Sequence, residues 1–234
     1  MVSGSTHRAI GMYTLYIGNK NYSTWSLRAW VLMKTLGIAF EERQLPLYEP
    51  DTSQRIRRVS PSGRVPCLHD GDIVVWDSLA IAEYLAEKHR EVWPADASAR
   101  AWARSAAAEM HSGFARLRDE LTMNVKLRTG KTPSAAAAAE IARIVSLWRE
   151  GRERFGSGGD FLCGPFTAVD AFFCPVAFRF QTYAVALHNV AGAYCRSLLD
   201  LPAMHEWASA AATEAEPRGV QAPSAAATSP AQPT

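Results

Sequence analysis

The chain is poor in the groups that dithiol chemistry and zinc sites need. It has four cysteines in 234 residues, Cys67, Cys163, Cys174 and Cys195, with no C-x-x-C pair and no histidine at zinc-ligand spacing. The expectation is no metal, no disulfide exchange, and four small buried side chains in a reducing cytoplasm. No apolar run approaches the ~20 residues of a membrane span, which argues against a membrane partner. Residues 1–12 lack the apolar core of a signal peptide, and Met12 reads as a natural start behind a short leader. There is no basic block and no aromatic–basic interleaving, and the net charge is only +2, so nucleic acid is not expected as a partner. Beyond Pro94 the chain has almost no strand signal.

What is present suits a folded chain of one large or two smaller domains: 48% hydrophobic and 21% charged residues. Residues 13–18 read as a strand, and Trp25 to Leu36 as a helix stopped at Gly37. Ile38 to Leu47 reads as a second strand and 51–59 as a short polar helix. Two short strands between Leu68 and Trp76 meet at an Asp70-Gly71 turn, and a helix follows over 78–88. The order is βαβ, a connecting helix, then ββα, an α/β layer over 12–90 with parallel and antiparallel portions. Past a linker near 87–97, residues 98–215 read as all-helical, with segments 99–120, 134–155, 167–183 and 204–213. Thr167-Ala-Val-Asp170 fits an N-terminal capping box with a structural role. Residues 1–11 form an extension, and 216–234, mostly Pro, Ala, Ser and Thr, read as a disordered tail.

The most specific signal is Ser60-Pro-Ser-Gly-Arg-Val-Pro-Cys67 followed by Asp77-Ser78-Leu-Ala-Ile-Ala. Val65-Pro66 reads as a strand entry where the proline bond is a candidate for cis geometry, leaving the Val65 backbone free to pair with an extended peptide. Asp77-Ser78 opens a helix whose N-terminal N–H groups and dipole suit a carboxylate. Together they make a site for a small anionic peptide.

These motifs, with Tyr13-Thr-Leu-Tyr-Ile-Gly18, Asn21-Tyr-Ser-Thr-Trp-Ser-Leu-Arg28 and Phe161 to Asp170, resemble the cytosolic glutathione S-transferase family over about residues 12–215. The likeness is to a bacterial, serine-type member with a zeta-like N-terminal motif. It implies a thioredoxin-like N-terminal domain, a C-terminal helical bundle, and glutathione as cosubstrate. It also implies a homodimer and a detoxifying attack of glutathione on small hydrophobic electrophiles. Ser23-Thr-Trp-Ser-Leu-Arg28 aligns with the zeta Ser-Ser-Cys-Ser-Trp-Arg pattern. Ser23 then falls on the thiol-activating serine, with Thr24 as second choice and Tyr16 as a rival that reads equally as a half-buried strand residue. A free thiol, pKa about 8.5, is only slightly ionised near neutrality, so a hydroxyl donor at a helix start is what this chemistry needs. Asp77 would meet the ammonium of glutathione, Ser78 its γ-glutamyl carboxylate, Val65 and Pro66 its cysteinyl backbone, and Arg64 its glycyl carboxylate.

Met110, His111, Phe114 and Arg118 share a helical face by spacing, and the first three are the candidate electrophile pocket. Trp25 replaces the zeta cysteine, which disfavours an isomerase and, with no cysteine in the loop, thiol transfer. The rival readings are a glutathione-dependent isomerase, peroxidase or dehalogenase of the same fold, and a non-catalytic binding module.

Overall fold

A computed structural model describes residues 12–216. The predicted leader and all but the first residue of the predicted tail lie outside that range. Four strands form one sheet in the order β2-β1-β3-β4: β1 Tyr13–Ile17, β2 Phe40–Gln44, β3 Cys67–Asp70 and β4 Ile73–Val75. β1 and β2 are parallel and the other pairings antiparallel, with Tyr16 opposite Cys67 and Leu15 opposite Leu68. Gly71 sits at φ 60°, in the left-handed region that the β3–β4 turn requires and that glycine adopts freely. Helices α1 Thr24–Thr35, α2 Thr52–Arg57 and α3 Ser78–Ala86 complete the N-terminal layer. This is the thioredoxin-like arrangement that the family resemblance implies.

After a single 3₁₀ turn at Arg90–Val92 the chain is helical: α4 Ala97–Ser112, α5 Ala115–Glu120, α6 Ala135–Phe155, α7 Ala168–Thr182, α8 Asn189–Leu199 and α9 Pro202–Thr213. Two sequence expectations need correction here. The segment 99–120 is two helices, because Phe114 sits at φ 62° and the chain turns at Gly113. α8 was not anticipated; its Asn189 start at φ 51° and its mid-helix Gly192 blur the usual start signal.

α7 is the hub of the helical region. Fourteen of its fifteen residues are buried, and it packs against α1, α4 and α8. A helix apolar on every side is a core helix. Its N-terminus is closed by the predicted capping box. Asp170, fully buried, accepts from Thr167 N (2.9 Å), Leu162 N (3.0 Å) and Tyr194 Oη (2.9 Å). Burial pushes its carboxyl up to about 6, while these donors pull it back. The α1–α7 contact joins the two regions, so one hydrophobic core runs through both.

Among the described residues no helix is long and apolar enough to cross a membrane, and no group of three or more His, Cys, Asp or Glu side chains could hold a metal. All four cysteines are buried and unpaired, and burial pushes the thiols of Cys163 and Cys195 up to about 12.

Candidate functional site

The segment Ser62–Pro66 brings Arg64, Val65 and Pro66 to the start of β3, and the Val65–Pro66 bond is cis. Beside it the chain turns from β4 into α3 through Trp76 and Asp77. Asp77 caps α3 by accepting from Leu79 N at 2.9 Å. The next residue, Ser78, is 1% exposed, and its Oγ has no hydrogen-bond partner. A buried hydroxyl without a partner carries a desolvation cost of about 1–3 kcal/mol, so an unfilled one marks a place where a ligand group fits.

These residues line a cleft of about 400 Å³ together with Trp25, Ser62, Trp76 and His111. Residues from the loop before β3, the β4–α3 turn, α1 and α4 therefore meet in one cavity. The far wall is His111, the penultimate residue of α4. Its Nε2 lies 3.2 Å from Asp77 Oδ2, its ring is edge-on to Trp25 with centroids 5.1 Å apart, and its Nδ1 is buried without a partner. Burial holds His111 below the ordinary imidazole range; Asp77 opposes this, and the Arg28 and Arg118 cations reinforce it.

Five of the ten residues expected from sequence line this cleft: Arg64, Val65, Pro66, Asp77 and His111. Ser78 lies immediately behind its rim. Met110 and Phe114 do not line it. Met110 is buried at 1% exposure, and Phe114 falls beyond the end of α4, where the break at Gly113 removes it from the face predicted from helical spacing. Ser23 and Thr24 do not line it either. Ser23 is the N-cap residue of α1, 6% exposed, and donates from Oγ to Ser26 Oγ at 2.7 Å. Ser26 Oγ also accepts from Gly18 N at 3.0 Å, which ties the helix start to the end of β1. The first turn of α1 carries no acidic residue, so nothing there opposes an anion at its positive end. Tyr16 is half-buried in mid-strand with its ring 4.9 Å from that of His69.

The sequence reading did not assign Ser62, Trp25 or Trp76 to the cleft. Each adjoins a residue that it did assign or an aligned motif position, and that adjacency was the available signal. It also gave Arg28 no role. Arg28 is 1% exposed with its guanidinium 4.4 Å from the Trp25 ring centre and 4.7 Å from that of Phe172.

Residues 22–88 match the family model "Glutathione S-transferase, N-terminal domain". The chain is 35% identical over 89 residues to Glutathione S-transferase Z2 of Arabidopsis thaliana, covering 35% of this chain and 40% of that one. It is 28% identical over 102 residues to a probable maleylacetoacetate isomerase of Caenorhabditis elegans, covering 43% and 47%. The chain thus spans less than half the length of these curated relatives. In three dimensions it is similar to a glutathione transferase homolog from Burkholderia with bound glutathione, at TM-score 0.62 and 23% identity, covering 86% of this chain and 97% of that one. Residues 22–88 thus match a glutathione S-transferase N-terminal domain in sequence, and over the described residues the chain has the fold of solved glutathione transferases.

Proposed function

We propose that this protein binds glutathione in the cleft between the β4–α3 turn and α4 and uses its thiolate against a small electrophile. One observation carries the reading: Asp77, the cap of α3, shares one cleft with the cis Val65–Pro66 bond, and the next residue, Ser78, has a buried Oγ without a partner. The γ-glutamyl carboxylate takes the Ser78 hydroxyl and the N–H groups of α3, and Asp77 takes the ammonium. The backbone of Val65 pairs with the cysteinyl unit, and Arg64 meets the glycyl carboxylate. Ser23 turns its O–H from Ser26 Oγ to the glutathione sulfur and stabilises the thiolate; Thr24 and Tyr16 are the alternatives.

The sulfur then forms a bond to the electrophilic carbon, and the leaving group departs with its bonding pair. The thiol proton passes to solvent. A thiolate pKa lowered by about two units asks roughly 2.7 kcal/mol of such stabilisation, within reach of one charge-assisted hydrogen bond and a helix dipole. A homodimer, a cytoplasmic location and a detoxifying role belong to the same proposal.

A second reading, a glutathione-dependent isomerase, is favoured by the likeness to a relative of that name. Trp25 in place of the zeta cysteine weighs against it. The non-catalytic module is disfavoured because Ser23, Val65-Pro66 and Asp77-Ser78 are all present.

The test is calorimetric titration of glutathione into wild type and Ser78→Ala, with ultraviolet thiolate absorbance in wild type and Ser23→Ala. The expected result is binding that weakens in Ser78→Ala and a thiolate signal that disappears in Ser23→Ala. Retained ionisation in Ser23→Ala moves the role to Thr24 or Tyr16. No glutathione binding overturns the reading.

A further inference from the structure

A hollow of about 420 Å³ lies between α6 and the segment that joins α7 to α8. Val145, Arg149 and Glu153 of α6 form one wall, four residues apart and so on one face of the helix. Leu187, His188 and Val190 stand on the other. The hollow shares no residue with the cleft. Between them runs α7, packed on α1 and α4 and also on α8. No step above uses this second cavity.

The charges on α6 single out this wall. The helix carries seven charged side chains, and among the described residues five of them have polar partners. Glu140 accepts from Leu117 N, Arg143 pairs with Glu109, and Glu150 pairs with Arg154 and accepts from the Trp102 indole. Arg152 donates to the carbonyls of Gly156, Gly159 and Phe161. Arg149 and Glu153, both exposed, have no such partner, and they are the two that line the hollow. They stand at the i, i+4 spacing at which opposite charges pair along a helix, as Glu150 and Arg154 do. The order explains the difference. Acid before base is the favourable direction, and here Arg149 comes first. A base and an acid are left open side by side, their Cβ atoms about 5–6 Å apart.

The opposite wall has a defined backbone. Ala184 at φ 52° and Asn189 at φ 51° hold left-handed conformations at the two ends of the joining segment. Such residues persist where the surroundings over-determine them. Val185 N donates to Phe180 O at 3.0 Å, and Gly192 N to His188 O at 3.3 Å. A Cβ at position 192 would lie 3.2 Å from Leu187 O, so a glycine there lets the first turn of α8 seat closely against the segment. Val145 and Leu187, both half-buried, and Val190, 38% exposed, add apolar surface beside the two charges.

A cation alone suits an anion, and an acid alone suits an amine. Side by side, next to apolar surface, they suit one molecule that carries both charges beside an apolar group. We propose that this hollow binds a free α-amino acid with an aliphatic side chain. Arg149 takes its carboxylate through the guanidinium fork, and Glu153 takes its ammonium. Val145, Leu187 and Val190 receive the side chain. The volume falls in the range of small-molecule sites, about 300–1,000 Å³. The site is separate from the glutathione cleft and does not depend on the reading of that cleft.

The test is an NMR titration of the full chain with L-leucine. N-acetyl-leucine, which lacks the ammonium, and leucinamide, which lacks the carboxylate, are the controls. The expected result is shifts in the backbone amides of residues 145–153 and 185–193 with L-leucine, and binding about tenfold weaker or worse for each control. Arg149→Ala and Glu153→Ala should each weaken L-leucine by about tenfold or more. Glutathione binding, measured on the same proteins, should not change.

A control that binds as tightly as L-leucine overturns the proposal, and this comparison on wild type stands even if a variant does not fold. Unchanged leucine affinity in both variants overturns it too. So does a leucine response confined to Trp25, Asp77 and His111, since the amino acid would then occupy the cleft. Absence of any response to L-leucine has the same consequence.

Discussion

Two helix starts in this molecule each carry a polar cap residue and end in opposite states. α7 opens with Thr167 and closes on Asp170; α3 opens with Asp77 and Ser78. At α7 every polar atom named is used: the Asp170 carboxylate takes two backbone N–H groups and the Tyr194 hydroxyl, in a site with no exposure. At α3 the Asp77 carboxylate holds one N–H of the helix and faces His111 across the cleft, while Ser78 Oγ is buried with nothing to bond. Both are caps by sequence. The difference lies in satisfaction: the closed start spends its polar groups on the fold, and the open one holds them in reserve beside a cavity.

The largest effect should come from opening the closed start. Asp170→Ala strands the Tyr194 hydroxyl and two N–H groups inside the core, at about 1–3 kcal/mol each. A destabilisation of about 3 kcal/mol or more follows, seen as a fall of roughly 10 °C in Tm. A loss under about 1 kcal/mol would mean that water fills the gap and that α7 is not the closed member of the pair.

Much of this contrast was legible in the residues. The ββα order, the cis candidate at Val65-Pro66 and the capping box at Thr167 follow from local rules that tertiary structure did not override. Phe114 was misplaced because a left-handed residue after Gly113 breaks a periodicity that otherwise continues through Arg118. The burial of Arg28 was invisible. An arginine in the first turns of a helix reads as solvated, and it is the packing of α1 on α7, with Met110 O of α4 beside it, that encloses this one. Nor does sequence distinguish an unpartnered Ser78 from a satisfied one, because that depends on what other elements bring to within 3.5 Å of it.

The start of α1 is intermediate and is tied down from the far end of the chain. The Glu214 carboxylate, just past α9, accepts from Lys20 N (2.6 Å), Asn21 N (3.0 Å) and the Gln44 side chain. These bonds hold the loop that leads to Ser23. Glu214→Ala should cost about 1–2 kcal/mol in denaturant unfolding, since it removes an ionised acceptor from two backbone donors. It should also lower the thiolate absorbance of bound glutathione if Ser23 is the activating group. Destabilisation with an unchanged thiolate signal would separate the loop from the chemistry.

Ser78→Ala sharpens the comparison in the opposite sense. Removing a buried hydroxyl that bonds nothing should leave the ligand-free protein at least as stable as wild type, by up to about 1–3 kcal/mol. Glutathione affinity should fall about tenfold, equivalent to ~1.4 kcal/mol. A variant clearly less stable than wild type would show that Ser78 serves the fold, and the open start would then be no more a binding feature than the closed one.

The smallest effect concerns pH and the far wall of the open start. His111 is held below the ordinary imidazole range chiefly by burial, with Arg28 and Arg118 adding to it and the Asp77 carboxylate opposing it. The sign follows from proton counting. As pH falls through about 6.5 the unfolded chain takes up a proton at this histidine before the folded chain does. The contribution of His111 is therefore fully present above that pH and is lost as pH drops through the lowered folded value. Between about pH 8 and about pH 5, wild type should lose more stability than His111→Gln, measured as the difference between their Tm profiles. Asp77 decides the outcome if burial does not: a protonated imidazole paired to Asp77 would reverse the slope and make His111→Gln the more acid-sensitive protein. In that case the open start of α3 already holds a charge pair across its cleft, and an incoming ammonium would have to compete with His111 for Asp77.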